Sequence, residues 1–275
     1  MSITTNPSFI IGVSLLGILL VLMAVFVIFC PFSITIDMDH RMEAPSRAYL
    51  LGTDSMGRDF LSCVVYGIGV SLVIGLLVAV LSGAVGVGLG MVAGYIGGII
   101  DIVIMGITEV FLAFPGILLA IVAAAFLGPG PVHLIALLVV MNWAGYARMV
   151  RAEVLKHKQA EFMMAARSYN ASTGRIIVHH LFPLVLPLAV VQVSLNISGI
   201  ILAESSIHFL GIGLSADIPT LGQLINEGRD YLFNDPIFIA LPGGILFLII
   251  IAFHFIADGL SKKNESGLGA NYKNN

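Results

Sequence analysis

The sequence predicts an all-α protein that is embedded in a membrane and crosses it about six times. Of its 275 residues, 58% are hydrophobic and only 11% are charged, and the mean hydropathy is +1.03. Soluble domains usually carry roughly 25% charged residues, so this composition excludes an ordinary soluble fold. The net charge of −3 is too small to indicate a nucleic-acid partner.

Six stretches are long and apolar enough to cross the hydrocarbon core as helices, which needs about 20 residues for a thickness of about 30 Å. They are Phe9–Cys30, Val70–Gly94, Ile102–Leu127, Val132–Ala147, Leu184–Ala203 and Pro236–Ala257. We expect the first to be a retained helix rather than a cleaved signal peptide. Met1–Ser8 has no Lys or Arg, and no small-residue cleavage site ends the apolar run.

Charged residues are divided between the loops in a way that predicts orientation. The 147–183 loop carries six basic residues against two acidic ones, and the tail adds three lysines: Arg148, Arg151, Lys156, Lys158, Arg167 and Arg175, then Lys262, Lys263 and Lys273. Loops 31–69 and 204–235 hold more acids than bases. Because Lys and Arg concentrate in cytoplasmic loops, we expect the 147–183 loop and both termini to be cytoplasmic. Arg148 and Arg151 at the membrane border could anchor phospholipid.

Several polar residues fall at membrane depth and are candidates for lining a pore: Glu109, Asn142, Gln192, Asn196 and Glu204. Polar groups at this depth usually face a bundle interior or a water-filled cavity. The alternative for each is a hydrogen bond to a neighbouring helix. We expect Pro115, Pro187 and Pro242 to kink or end their spans, because proline lacks a helical donor.

Glycines recur every four residues at Gly86, Gly90, Gly94 and Gly98 and form a seam along the second span. Small residues let helices approach closely in a membrane. This pattern favours packing within the subunit, with a subunit interface as the alternative. Cys30 and Cys63 are interpreted as unpaired apolar thiols rather than a disulfide, and no metal site is visible.

The 147–183 loop is too long for a plain connection and should have structure of its own. Gln159–Tyr169 consists of good helix formers, and Asn170 tolerates the left-handed geometry that ends helices. Ser172 can cap a second helix, Thr173–Leu181, before Pro183 begins the next span. These features predict a short helix–turn–helix on the cytoplasmic surface. Its small alanine side chains leave a surface that another protein could bind. The alternative is a solvated surface helix with no partner.

The segment 161–172 (EFMMAARSYNAS) and the HLFP that ends at Pro183 resemble the EAA loop of bacterial ABC-importer permeases. In that family the loop forms the coupling helix that docks into an ATPase subunit. The resemblance assigns ATPase coupling to six residues: Glu161, Ala165, Ala166, Asn170, Arg175 and Pro183. The family usually has glycine where Asn170 stands, and asparagine can adopt the same geometry.

Residues 51–59 (LGTDSMGRD) are similar to the signature after the first span in "C"-type dipeptide, oligopeptide and nickel permeases. Segments 93–98, 111–115, 146–151 and 208–213 resemble that family in the same order. The family usually has Ser and a Trp-Gly pair where this chain has His208 and Leu221-Gly222. The resemblance implies a first helix and external loop in 1–69, a type-I permease core in 70–260 with its coupling loop at about 148–183, and a cytoplasmic tail in 261–275.

The resemblance also implies a setting in the bacterial inner membrane and a set of partners. These are a "B"-type permease, two ATPase subunits, an extracytoplasmic solute-binding protein and membrane lipid. The chain has no Gly-x4-Gly-Lys-Ser/Thr loop, so ATP and Mg would be bound by the ATPase and no cofactor by this chain. No catalytic set stands out, so we expect no enzymatic activity.

Two other functions and several substrates stay open. An ion-coupled secondary transporter or channel would act without an ATPase and use Glu109 and Glu204 as coupling sites. A membrane scaffold would transport nothing. Within the family, the substrate could be a dipeptide, an oligopeptide, nickel or a metal chelate, and the short chain slightly favours nickel.

Overall fold

The computed structural model describes residues 6–30, 32–116, 118, 119, 122, 126, 128, 130–211, 213, 214 and 218–272. The side chains of Arg167 and of the residues after Lys262, including the tail lysines Lys263 and Lys273, lie outside the described part. Apart from an isolated bridge between Thr53 and Asp59, the regular structure in these ranges is helical. The all-α membrane fold is therefore confirmed.

The helices are numbered here in chain order. They are α1 (Pro7–Phe29), α2 (Phe60–Ile96), α3 (Gly98–Ala113), α4 (Pro131–His157), α5 (Glu161–Ser168), α6 (Thr173–Phe209), α7 (Leu221–Gly228) and α8 (Ile237–Tyr272). In the described ranges, 5 helices are long and apolar enough to cross a membrane: α1, α2, α4, α6 and the Ile237–Lys262 part of α8.

The expected span Ile102–Leu127 is not one continuous helix. Helix α3 ends at Ala113, and Phe114 is extended with φ −91° and ψ 140°. Pro115 follows, and a residue before proline is pushed out of the helical region. Residues 116, 118, 119, 122 and 126 are helical again, whereas the other positions of 117–127 lie outside the described residues. Pro115 therefore interrupts this span, as the sequence suggested.

Other helix ends also differ from the apolar stretches. Helix α2 begins at Phe60 instead of Val70, because the Asp59 carboxylate accepts the Ser62 N–H and caps it. Helix α4 continues beyond Ala147 to His157, and α8 continues to Tyr272 in the expected tail. Hydropathy locates the part of a helix inside the hydrocarbon core, and polar helical turns can extend beyond it.

Helix α2 packs along α4 through the glycine seam. A Cβ at Gly90 would lie 2.6 Å from the Ala147 carbonyl oxygen, and one at Gly94 would lie 2.9 Å from Val154 Cβ. Gly86 approaches the Trp143 carbonyl in the same way, whereas Gly98 has open space around it. Packing within the subunit is confirmed for the first three glycines.

Helix α1 packs against α8 at two further glycines. A Cβ at Gly12 would lie 2.6 Å from the Ala252 carbonyl oxygen, and one at Gly259 would lie 2.6 Å from Phe9 Cβ. Pro187 lies inside α6 and Pro242 inside α8, so neither proline ends its helix. Hydrogen bonds from neighbouring turns, helices or water can compensate for the missing donor in a membrane helix.

Replacing Gly90 by leucine should destabilise the subunit. The new side chain would meet the Ala147 backbone, which cannot move aside as a flexible side chain could. We expect a loss of about 3 kcal/mol, the upper range for an overpacked core. The measurement is SDS-induced unfolding of the purified subunit in mixed micelles.

Gly88→Leu is the matched control, because Gly88 lies on the same helix and a Cβ at this position would meet no other atom within 4 Å. We expect it to change the unfolding free energy by only about 0.5 kcal/mol, as for other open surface sites. Equal effects of the two substitutions would contradict the role of the seam.

Candidate functional site

The segment after α4 forms an exposed helical elbow. Helix α5 lies within the expected helix Gln159–Tyr169, and Asn170 follows with φ 56°, in the expected left-handed conformation. The Ser172 hydroxyl then accepts the Arg175 N–H at 3.4 Å and caps α6. We call residues 161–181 the α5–α6 elbow.

The expected second helix, Thr173–Leu181, is not a separate element. It continues into the membrane span through a π-helical turn at Ile177–Leu181, where the Phe182 N–H donates to the Ile177 carbonyl. A π turn pairs residues five apart, so the chain reaches Pro183 without ending the helix. The 173–181 part of the elbow is therefore the start of the membrane-spanning helix α6, with no break in the helix between them.

One side chain anchors α5, and most of its surface is free. Met163 is fully buried and packs in an apolar cluster with Val154 and Ile176. Five of the six predicted coupling residues are exposed: Glu161, Ala165, Asn170, Arg175 and Pro183. Ala166 instead packs partly against the cluster that holds Met163. Ala165 is therefore the outward-facing member of the alanine pair.

Three exposed apolar side chains on or directly after α5 were not among the residues expected to bind a partner. Phe162 is 48% exposed, Met164 is 51% exposed and Tyr169 is 88% exposed. Exposed large apolar groups that lie together mark protein interaction surfaces. The available signal was an eight-residue helix with apolar residues on more than one face.

The candidate pore residues do not form one group. Glu109 is exposed on α3, a helix in which Thr108 is the buried residue. Asn142 is half-buried on α4 and donates to the Leu138 carbonyl at 2.7 Å. Gln192 donates to Asn196 at 3.4 Å on α6. Glu109 is thus the carboxylate among these residues that reaches the surface of the subunit.

Polar side chains of the three central helices come together near Asn196. The hydroxyl of Tyr146 on α4 lies near Ser82 of α2 and Asn196 of α6 but makes no hydrogen bond to either. Tyr146 has no exposed surface, and Ser82 bonds the Val78 carbonyl at 2.6 Å. Asn196 therefore lies where the three helices meet, and its hydrogen-bond partner is Gln192 of its own helix.

Glu204 is fully buried between α6 and α2 instead of lining an open cavity. One carboxylate oxygen accepts the hydroxyls of Ser71 at 3.2 Å and Ser205 at 3.1 Å. The other lies 2.8 Å from His208 Nδ1. His208 Nε2 accepts the Leu214 N–H at 3.0 Å, so the ring proton lies on Nδ1, which is near Glu204 but not aligned for a hydrogen bond. This network attaches the chain after α6 to the helix bundle.

A cluster of ion pairs around Arg58 holds the loop between α1 and α2 to α7. Arg58 has no exposed surface; its Nε donates to Asp54 at 2.6 Å and its Nη2 to Glu227 at 3.1 Å. Burial raises the pKa of the Glu227 carboxyl, and the charge of Arg58 opposes that rise. Arg58 therefore makes the burial of two carboxylates tolerable.

The backbone of the 51–59 segment requires its two glycines. Gly52 has φ 76° and Gly57 has φ 73°, a region that residues with a Cβ rarely adopt. A Cβ at Gly57 would also overlap the carbonyl oxygen of Asp37. The sequence analysis used this segment only as a family signature and did not anticipate its buried arginine.

Comparison with known proteins supports one family. Residues 86–265 match the family described as "Binding-protein-dependent transport system inner membrane component". The chain is 36% identical over 221 residues to the dipeptide transport system permease protein DppC of Alkalihalophilus pseudofirmus, covering 80% of this chain and 73% of that protein. It is 35% identical over 227 residues to the nickel transport system permease protein NikC of Escherichia coli K12, covering 82% and 81%.

A third relative and a solved structure agree with this match. The glutathione transport system permease protein GsiD of Pectobacterium atrosepticum is 36% identical over 224 residues, covering 82% of this chain and 74% of that protein. The inward-facing MetNI methionine ABC transporter contains a chain that matches with a TM-score of 0.60 at 19% identity. The match covers 74% of this chain and 96% of that one, and it supports the fold.

Replacing Arg58 by methionine should destabilise the subunit strongly. Asp54 would stay buried and Glu227 partly buried without their shared cation, and loss of the cation from a buried ion pair usually costs about 3–5 kcal/mol. SDS-induced unfolding of the purified subunit measures the change. Arg229→Met is the control: Arg229 is 64% exposed and lies 3.8 Å from an exposed Asp230. We expect the control to cost at most about 1 kcal/mol. Comparable losses in both variants would contradict the stabilising role of the Arg58 ion pairs.

Proposed function

This chain belongs to the family of binding-protein-dependent transport system inner membrane components, and from that premise we propose that it carries short peptides, nickel or a metal chelate into the cell. It is the transmembrane permease subunit of an ABC importer. An extracytoplasmic binding protein delivers the substrate, and a homologous "B"-type permease completes the pathway. The names of the relatives, which cover dipeptide, glutathione and nickel transport, support these substrate classes.

The observation that carries this mechanism is the exposed α5–α6 elbow. Phe162, Met164 and Tyr169 are exposed large apolar side chains on α5 or directly after it, and small Ala165 is exposed between Met164 and Tyr169 in the sequence. Such a surface fits a groove on another protein, because buried apolar anchors supply most of the affinity at an interface. Two ATPase subunits bind ATP and Mg and dock here. Glu161, Asn170, Arg175 and Pro183 flank the contact, whereas Ala166 supports it from the subunit side.

The pathway lies along the exposed side of α3, where it meets the partner permease. Glu109 is the main polar group on that surface, and a carboxylate at this depth needs a wet or polar setting. Asn142 and Gln192 contribute further along the pathway. Glu204 holds helices together and sets the spacing of the walls, and Asn196 lies where three helices meet. In this scheme the substrate is moved by changes in helix position rather than by covalent chemistry.

Both chain termini and the elbow face the cytoplasm in this proposal. Asn6 Nδ2 donates to the Gly259 carbonyl at 3.4 Å, so the start of α1 and the end of the α8 span lie on one side. At the opposite ends, the rings of Phe60 and Phe238 pack 4.4 Å apart. Helices α2 and α8 therefore run in the same direction, and α2 ends on the side of the termini. The basic residues of the 147–183 loop and of the tail support a cytoplasmic assignment for that side.

Replacing Ala165 by glutamate should disconnect this subunit from its ATPase. A carboxylate would be buried without a partner in the contact, and loss of a central contact costs about 2 kcal/mol or more, roughly a 30-fold change. We expect ATP-dependent uptake in proteoliposomes to fall by that factor, with less ATPase copurifying. Uptake by the permease alone would instead support an ion-coupled transporter.

Ala152→Glu provides the matched control, because Ala152 is an exposed alanine on the same side of the membrane but outside α5. Uptake should stay near the wild-type rate in this variant. If Ala165→Glu also left uptake and ATPase copurification unchanged, the docking role of the elbow would be wrong.

The substrate class is identified most directly by measuring which ligand the cognate binding protein binds. Calorimetric titration with a dipeptide, an oligopeptide, glutathione, Ni²⁺ and a Ni²⁺ chelate should give micromolar or tighter binding for one class. Uptake of the same ligand by the reconstituted importer should follow. Failure of every one of these ligands to bind would reject the proposed substrate classes.

A further inference from the structure

The corner between α2 and α3 has little stiffness of its own. Helix α2 ends at Ile96 and α3 begins at Gly98. Gly97 has φ 77° and Gly98 has φ 60°, both in the left-handed region that glycine adopts easily. Two adjacent glycines offer no Cβ that could pack and fix the angle. Contacts from outside the corner must therefore set the direction in which α3 leaves it.

Two basic side chains from the end of α4 provide those contacts. Arg151 donates through Nε and Nη2 to the two carboxylate oxygens of Asp101, at 2.5 and 2.6 Å. Lys158 Nζ donates to the Gly94 carbonyl at 3.2 Å. Gly94 lies before the corner and Asp101 lies after it. The end of α4 thus contacts the chain on both sides of the corner, and we call these two contacts the α4 clamp.

The clamp lies next to the α5–α6 elbow. Lys158 directly follows α4, and the Ala160 N–H donates to the His157 carbonyl at 3.0 Å, so the link to α5 is a tight turn. Met163 of α5 packs in the same cluster as Val154 of α4. A displacement of α5 therefore reaches the end of α4 without passing through a flexible linker.

The geometry of the clamp is suited to transmitting a displacement of α4 to α3. A two-point arginine–carboxylate contact fixes both distance and angle, which a single ammonium contact does not. Arg151 and Asp101 are 32% and 19% exposed, so water screens the pair only partly. At the other end of α3, the rings of Phe111 and Trp143 contact at 5.7 Å. Helix α3 is thus held to α4 near both of its ends.

We propose that Arg151 and Lys158 are positioning residues that carry the displacement of the elbow through Asp101 and the α2–α3 corner to α3, and so to the wall that bears Glu109. This inference rests on the proposed function, since it assumes that an ATPase moves the elbow. It gives Arg151 a protein partner in place of the phospholipid anchoring that the sequence allowed. Arg148 stays exposed and retains that possibility.

The test uses the complete importer in proteoliposomes and measures solute uptake per ATP hydrolysed. Arg151→Gln and Asp101→Asn should assemble and hydrolyse ATP while uptake per ATP falls on the order of tenfold, a usual size for coupling between linked sites. Arg151→Lys keeps the charge but not the two-point contact and should give an intermediate ratio. Exchanging the pair as Asp101→Arg with Arg151→Asp should restore most of the ratio.

Asp258→Asn is the control, because it breaks an exposed 2.6 Å pair with Lys262 inside α8 and should leave the ratio unchanged. An unchanged ratio in Arg151→Gln and Asp101→Asn would overturn the clamp. So would a parallel fall of uptake, hydrolysis and assembled complex in Arg151→Gln, Asp101→Asn and Arg151→Lys, which indicates a purely structural pair. Absence of ATP-driven uptake in the wild-type importer would instead overturn the proposed function itself.

Discussion

Close backbone contact between α2 and α4 is the constraint on which the rest of the structure depends. Lipid tails are as apolar as leucine side chains, so helices in a membrane gain little from hiding apolar surface from one another. They associate through short-range packing, which requires the backbones to approach closely. Gly86, Gly90 and Gly94 allow that approach over successive turns of α2. Without it, the polar side chains around Tyr146 and the clamp near Asp101 would lose their geometry.

Helix α4 extends from the membrane interior to the surface that carries the α5–α6 elbow. Inside the bilayer it lies on the glycine seam, and beyond Ala147 it continues as a polar helix that reaches α5. The same rigid element therefore carries the packing surface, the clamp on the α2–α3 corner and the attachment of the elbow. On the other side of the elbow, α6 enters the membrane as continuous helix through a π turn. Helix α5 is thus connected to two spans, to α4 by a tight turn and to α6 through the turn at Asn170.

The polar residues at membrane depth have two kinds of role. Glu204 is surrounded by hydroxyls and His208, and its interactions are made within this chain. Glu109 points out of the subunit and must find its polar surroundings in water or a partner. A similar division applies outside the membrane. Arg58 is buried and forms ion pairs within the subunit, whereas the α5–α6 elbow is exposed. The buried groups therefore hold the subunit together, whereas the exposed groups are accessible from outside it.

The sequence by itself determined the membrane setting, most of the spans, the break at Pro115, the left-handed turn at Asn170 and the family. These features follow from local chemistry: apolar length, proline and asparagine geometry, and motif order. Only the tertiary structure decided that Glu204 is buried, that Ala165 faces outward while Ala166 packs inward, and that Arg151 meets Asp101. Such outcomes depend on which helix faces lie together, and the 50 positions that separate Asp101 from Arg151 leave no local trace of their contact.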